Sequence, residues 1–265
     1  MITAIRTELL KVRTTRLWWV MLGLMVIVVA GMTALVAVIV DQFSSAVPEA
    51  GQPSLATGAV YSMAVGFGYV FTLIMGTLSV TGEYRYQTFT PTYLTEPRRD
   101  IVVAGKTIGQ FLTGLLFGIV TVLVAIGVGA ALLSILGDGT GLGDGDVQRA
   151  LALSPVALGL WAVIGVGLGA LIRNQIAAIV VIISFNQIVD PILRLALSAM
   201  NAEGAVKFLP TSAGEAMAGG GLGSLIATGA DTGMLAWWGG ALVLVGYGVV
   251  FVALGWLLTL RGDVS

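Results

Sequence analysis

The stretch 17–40 reads LWWVMLGLMVIVVAGMTALVAVIV and carries no charge over 24 residues. A helix needs roughly 20 apolar residues to cross the ~30 Å hydrocarbon core of a bilayer. A cleaved leader has an apolar run of only about 7–15 residues and a small-x-small site after it. Neither feature is present, so the stretch reads as an uncleaved first span. Outward from it, five more apolar stretches recur, at 58–80, 107–136, 150–172, 176–197 and 234–260. The third is longer than the bilayer needs, so it tilts or extends past the lipid. The expected fold is an all-α polytopic membrane protein of six transmembrane helices.

Composition agrees with lipid as the solvent. The chain has 265 residues, of which 57% are hydrophobic and 10% charged, where a soluble domain carries about 25% charged residues. With no Cys there is no disulfide framework or thiol chemistry. The absence of His removes the commonest metal ligand and the usual general base. A net charge of −1 offers nothing to a nucleic acid.

Charge position is more informative than charge total. With six spans both termini share one side. Ten of the 13 basic residues fall there: Arg6, Lys11, Arg13, Arg16, Arg85, Arg98, Arg99, Lys106, Arg173 and Arg261. The other side has Arg149, Arg194 and Lys207, together with most of the acids. The positive-inside rule then puts both termini in the cytoplasm.

Glycine pairs at small-xxx-small spacing, Gly105/Gly109, Gly114/Gly118 and Gly165/Gly169, let helices approach closely in lipid. They serve packing within the chain or a seam between two copies. At the N-terminus Ile2, Ile5, Leu9 and Val12 form one apolar stripe, with Arg6 and Arg13 flanking it and Lys11 opposite. Segment 1–16, which also holds Glu8 and Arg16, reads as an amphipathic interfacial helix on the cytoplasmic leaflet or as a plain basic anchor. Trp18 and Trp19 mark the membrane boundary.

Segment 81–106, TGEYRYQTFTPTYLTEPRRDIVVAGK, joins the second and third spans. A short helix over 83–93 is expected, kinked at Pro91 and ended by Pro97. Exposed Tyr84, Tyr86, Phe89 and Tyr93 beside charges of both signs suit a protein-docking surface.

GEYRYQTFTPTYLTEPRR…GK resembles the loop signature of bacterial ABC-2-type (type V exporter-like) transporter permeases, and ELLKVRTTRLWW resembles their opening segment. Together the two motifs cover about 45 residues, and the hydropathy plan matches over the remainder. The resemblance implies one permease domain over 1–265 in a bacterial inner membrane. It implies a cytoplasmic coupling helix within 81–106 that docks on a separate ATPase subunit. Glu83, Tyr84, Arg85, Thr88, Phe89 and Leu94 would make the contact, with Arg98 and Arg99 closing the loop. Gln87 stands where many members carry Gly. Two ATPase subunits and a second permease, identical or homologous, would complete the exporter. ATP and Mg would be bound by the partner and no cofactor by this chain, which has no G-x-x-x-x-G-K-[ST] phosphate loop. The nearest match, at Lys106, reads as an interfacial anchor.

Other features have two readings. Asp190 and Arg194 are four apart and can pair on one helix face, as a structural pair or as a functional intramembrane charge. Asn186 and Gln187 are polar at a costly depth and serve as helix glue or line a substrate path. Gly137–Asp146 reads as a solvated loop, and Phe208–Met217 as a short re-entrant or surface helix. The alternatives to an exporter are an ATP-independent carrier or channel, or a non-transporting scaffold. An intramembrane enzyme is disfavoured, because no clustered carboxylates line a span.

Overall fold

The computed structural model describes residues 2–46, 53–87, 99–136, 139–200, 202–220 and 234–257. Among them the elements are helical throughout: α1 (Ile2–Thr14), α2 (Leu17–Ala46), α3 (Pro53–Arg85), α4 (Arg99–Leu136), α5 (Gly145–Leu171), α6 (Gln175–Ser184), α7 (Asp190–Ala199), α8 (Glu203–Val206), α9 (Pro210–Met217) and α10 (Trp237–Gly255). Six helices are long and apolar enough to cross a membrane: α2, α3, α4, α5, α6 continued by α7, and α10. The architecture is that of a multi-pass membrane protein.

Two boundaries next to the segment 81–106 differ from the hydropathy reading. Helix α3 continues through Arg85, so Glu83 and Tyr84 belong to it rather than to a separate loop helix. Helix α4 begins at Arg99, eight residues before the expected span, with Asp100 in its first turn where a carboxylate complements the helix dipole. Thr88, Phe89, Leu94 and Arg98 lie outside the described residues, as does the side chain of Arg99.

Helices α3 and α5 form the centre. In each, 61% of the most apolar window is buried, against 17% for the α6–α7 span. Glycine makes this pairing close. A Cβ on Gly76 would collide with the Ala162 carbonyl, and one on Gly165 with that of Leu73. The Thr77 hydroxyl crosses the same seam to the Gly165 carbonyl at 3.0 Å. Gly105 and Gly109 seat Ala4 and Glu8 of α1, while Gly114 and Gly118 seat Leu158 and Pro155 of α5. All three glycine pairs therefore pack within the chain.

Local chemistry sets the turns. The Asp144 carboxylate accepts from the Asp146 amide at 2.8 Å and caps α5. The Asn174 side chain accepts from the amides of Ile176 and Ala177 at 2.9 and 3.1 Å, which starts α6 after a linker of three residues. Pro191 cannot donate a hydrogen bond, and its ring would crowd the carbonyl four residues back. The helix widens before it into a π turn over Phe185–Val189, where the Asp190 amide donates to Phe185. This turns the Asp190 side chain inward while Ile188 and Val189 face out.

Candidate functional site

Two buried polar clusters lie at different levels of the bundle. The first joins α1, α3 and α4. The Lys106 ammonium, 4% exposed, donates to Glu8 Oε2 at 2.9 Å, to Glu83 Oε1 at 2.9 Å and to the Ser79 carbonyl at 3.0 Å. Its three donors are thereby satisfied. Lys11 donates to Glu8 Oε1 and Glu83 Oε1, both at 2.7 Å. Two lysines and two glutamates sum to zero charge, which makes their burial tolerable. Burial pushes the Glu8 carboxyl pKa up, but the ammoniums of Lys106 and Lys11 outweigh it and hold the group below its ordinary value. Burial likewise lowers the pKa of Lys11, and Glu83 with Glu8 more than reverses this.

This corrects the reading of Lys106 as an interfacial anchor: its side chain lies inside the bundle, where α1 and α3 bring two carboxylates to it. Glu83, named above as a docking contact, also faces inward and is 7% exposed. Next to it, Tyr84 is half-buried beneath the Arg173 guanidinium, 5.8 Å from its ring centre. Arg85 and Tyr86 are exposed, and Arg85 donates to Gln175 at 3.2 Å. On α1, Arg6, Arg13 and Arg16 are exposed, and Lys11 is turned partly inward from the polar face assigned to it.

The second cluster lies within the spans. Arg194 donates through Nε to Asp190 at 2.9 Å, and through its terminal nitrogens to Glu215 at 3.2 and 3.3 Å and to Thr211 at 2.8 Å. The Thr211 hydroxyl donates to the other Asp190 oxygen at 2.5 Å. The expected Asp190–Arg194 pair therefore forms and also reaches α9. Helix α9 is seated within the bundle: Thr211, Ser212, Ala213, Gly214 and Met217 are buried. Beside the cluster, the Tyr69 hydroxyl donates to Asn186 Oδ1 at 3.0 Å, and the Tyr69 ring packs on Trp161 with centroids 4.5 Å apart. Gln187 is exposed on the outer surface of the α6–α7 span.

Sequence reasoning did not assign Tyr69, Trp161, Thr211 or Glu215 to a site. An aromatic residue in a span carries no signal of its own, and Thr211 and Glu215 become informative only once α9 is known to re-enter. Glu8 did carry a signal, as a lone acid in a basic helix. Comparison with protein-family models gave no match, and neither did comparison with curated proteins.

Proposed function

We propose that this chain is the membrane-spanning permease subunit of an ABC-2-type exporter, driven by a separate ATPase subunit docked at the segment between α3 and α4. The observation that carries this reading is the buried cluster at the base of that segment. Glu83 lies in the last turn of α3, two residues before its end, Lys106 lies in the second turn of α4, and both are ion-paired to α1. A push on the connecting segment is therefore delivered to three helices together, as a coupling element requires. Arg85 and Tyr86 are the exposed residues next to the cluster and would meet the partner, while Glu83 and Lys106 would transmit the force. The backbone at Gln87 adds support. It has φ 54°, a left-handed conformation that favours glycine, at the position where many members of that family carry glycine. The arrangement fits both termini facing the cytoplasm, α1 on the inner leaflet and a second permease completing the pathway.

An ATP-independent carrier is the second reading, and it rests on Asp190, an acid buried in a span. Isolation from native membranes separates the two. The exporter reading expects a P-loop ATPase to co-purify. It also expects Arg85→Ala and Tyr86→Ala to uncouple ATP hydrolysis from transport while insertion is unchanged. Recovery without any ATPase, or coupling untouched by both substitutions, sinks the assignment.

A further inference from the structure

Two buried donors beside the second cluster, Trp161 Nε1 and Asn186 Nδ2, have no partner among the described residues. Tyr69, Trp161 and Asn186 each lie ten or more residues from either end of their spans, about 15 Å or more along the helix. At that depth no bulk water is at hand, and unpaired polar groups in hydrocarbon are expensive. The three elements converge. Tyr69 touches both Trp161 and Asn186, and α9 places Gly214 against the indole nitrogen. A Cβ on Gly214 would come within 3.0 Å of Nε1 and meet nothing else closer than 3.7 Å. The missing Cβ lets the α9 backbone lie against the indole edge.

We infer that Trp161 and Asn186 form a binding site for an uncharged oxygen-bearing group, an ester, amide or ether, on an amphiphilic molecule. The unpaired atoms set the polarity of the ligand. An indole N–H and a carboxamide N–H can only donate, so the ligand must present acceptors. The neighbouring charges set its charge. Asp190 and Glu215 outnumber Arg194, and all three guanidinium nitrogens are already engaged. Among the described residues beside the cluster no cation is spare for a phosphate or carboxylate, and two carboxylates would repel one. Access is from the lipid side past Gln187, because the α6–α7 span is the least buried of the six. The π turn displaces the helix at Asn186, as such turns commonly do at ligand sites. Naming this ligand as cargo rests on the transport reading, but its binding does not.

The test uses the full chain labelled with 5-fluorotryptophan in lipid nanodiscs, the Trp161 fluorine resonance being assigned by its loss in Trp161→Phe. The probe is dioctanoylglycerol, neutral with two ester carbonyls. The counter-probe is dioctanoyl phosphatidic acid, with the same tails and an anionic head. The expected result is a saturable shift of the Trp161 resonance with the neutral probe, at least tenfold weaker with the anionic one. Asn186→Leu, checked for an unchanged melting temperature, is expected to weaken the neutral probe about three- to tenfold. A Trp161 signal that ignores the neutral probe overturns the inference. So does an equal response to both probes, or an indole N–H that exchanges with water and nothing else. No ATPase or nucleotide is present, so such a failure leaves the coupling reading standing, and loss of coupling leaves this one standing.

Discussion

The two buried clusters contain similar side chains and differ in what they leave over. At the base of α3 and α4, Lys106 has all three donors satisfied and the four charges cancel. Within the spans, the charges are also paired, yet donors beside them are left without acceptors. The first cluster is neutral, leaves Glu83 Oε2 as a buried acceptor without a donor among the described residues, and braces three helices through its ion pairs. The second carries one more acid than base and leaves donors without acceptors. The two therefore differ both in net charge and in the kind of atom left over.

The largest expected effect comes from breaking the first cluster. Lys106→Met leaves two buried carboxylates sharing one half-exposed lysine. It should cost about 3–5 kcal/mol, read as a large drop in thermal stability in detergent. Arg194→Met removes a guanidinium that is 30% exposed and leaves Asp190 its Thr211 hydroxyl, so about 1–3 kcal/mol is expected in the same assay. Equal losses would erase the proposed contrast between the clusters.

Acid should act next. The pKa of Glu8 is lowered in the folded state, so its stabilisation is complete above the ordinary carboxylate range and is lost as pH falls through its depressed value. Lys11 is shifted up, so its stabilisation holds below the ordinary lysine range and is lost as pH rises through the raised value. Stability from these two groups is therefore flat across neutral pH. A melting series against pH should show an acid limb that is blunted in Glu8→Gln. A limb unchanged by that substitution would remove Glu8 from the account. The smallest effect is expected at Arg149–Asp146, an exposed pair with side chains 50% and 80% accessible. Arg149→Ala should move stability by less than about 0.5 kcal/mol.

Much of the architecture was legible because hydropathy is local. The stretches near 17–40 and 150–172 announce their spans without reference to any other residue. Asp190 and Arg194 were legible as a pair for the same reason, being one helical turn apart. Glu8 and Lys106 were not, because they are 98 positions apart and meet only when α1 lies in the notch made by Gly105 and Gly109. The glycine spacing showed that something would approach, but not which helix. Lys106 was misread because a lysine at the end of an apolar run ordinarily snorkels to the interface. Here two carboxylates supply inside the bundle what the interface would have supplied.

The seam between α3 and α5 also governs the order of assembly. Ala162, which lies against Gly76, is synthesised 86 residues after it, roughly 4 to 17 s at ribosomal rates. Through that interval α3 stands in the membrane with its glycine notches facing lipid. Lys106 emerges earlier, so the brace with Glu8 and Glu83 can close before the central seam does. The nascent protein is thus pinned at one end first and zipped through its middle afterwards. A truncation after Leu136 would retain the pin and lack the zip.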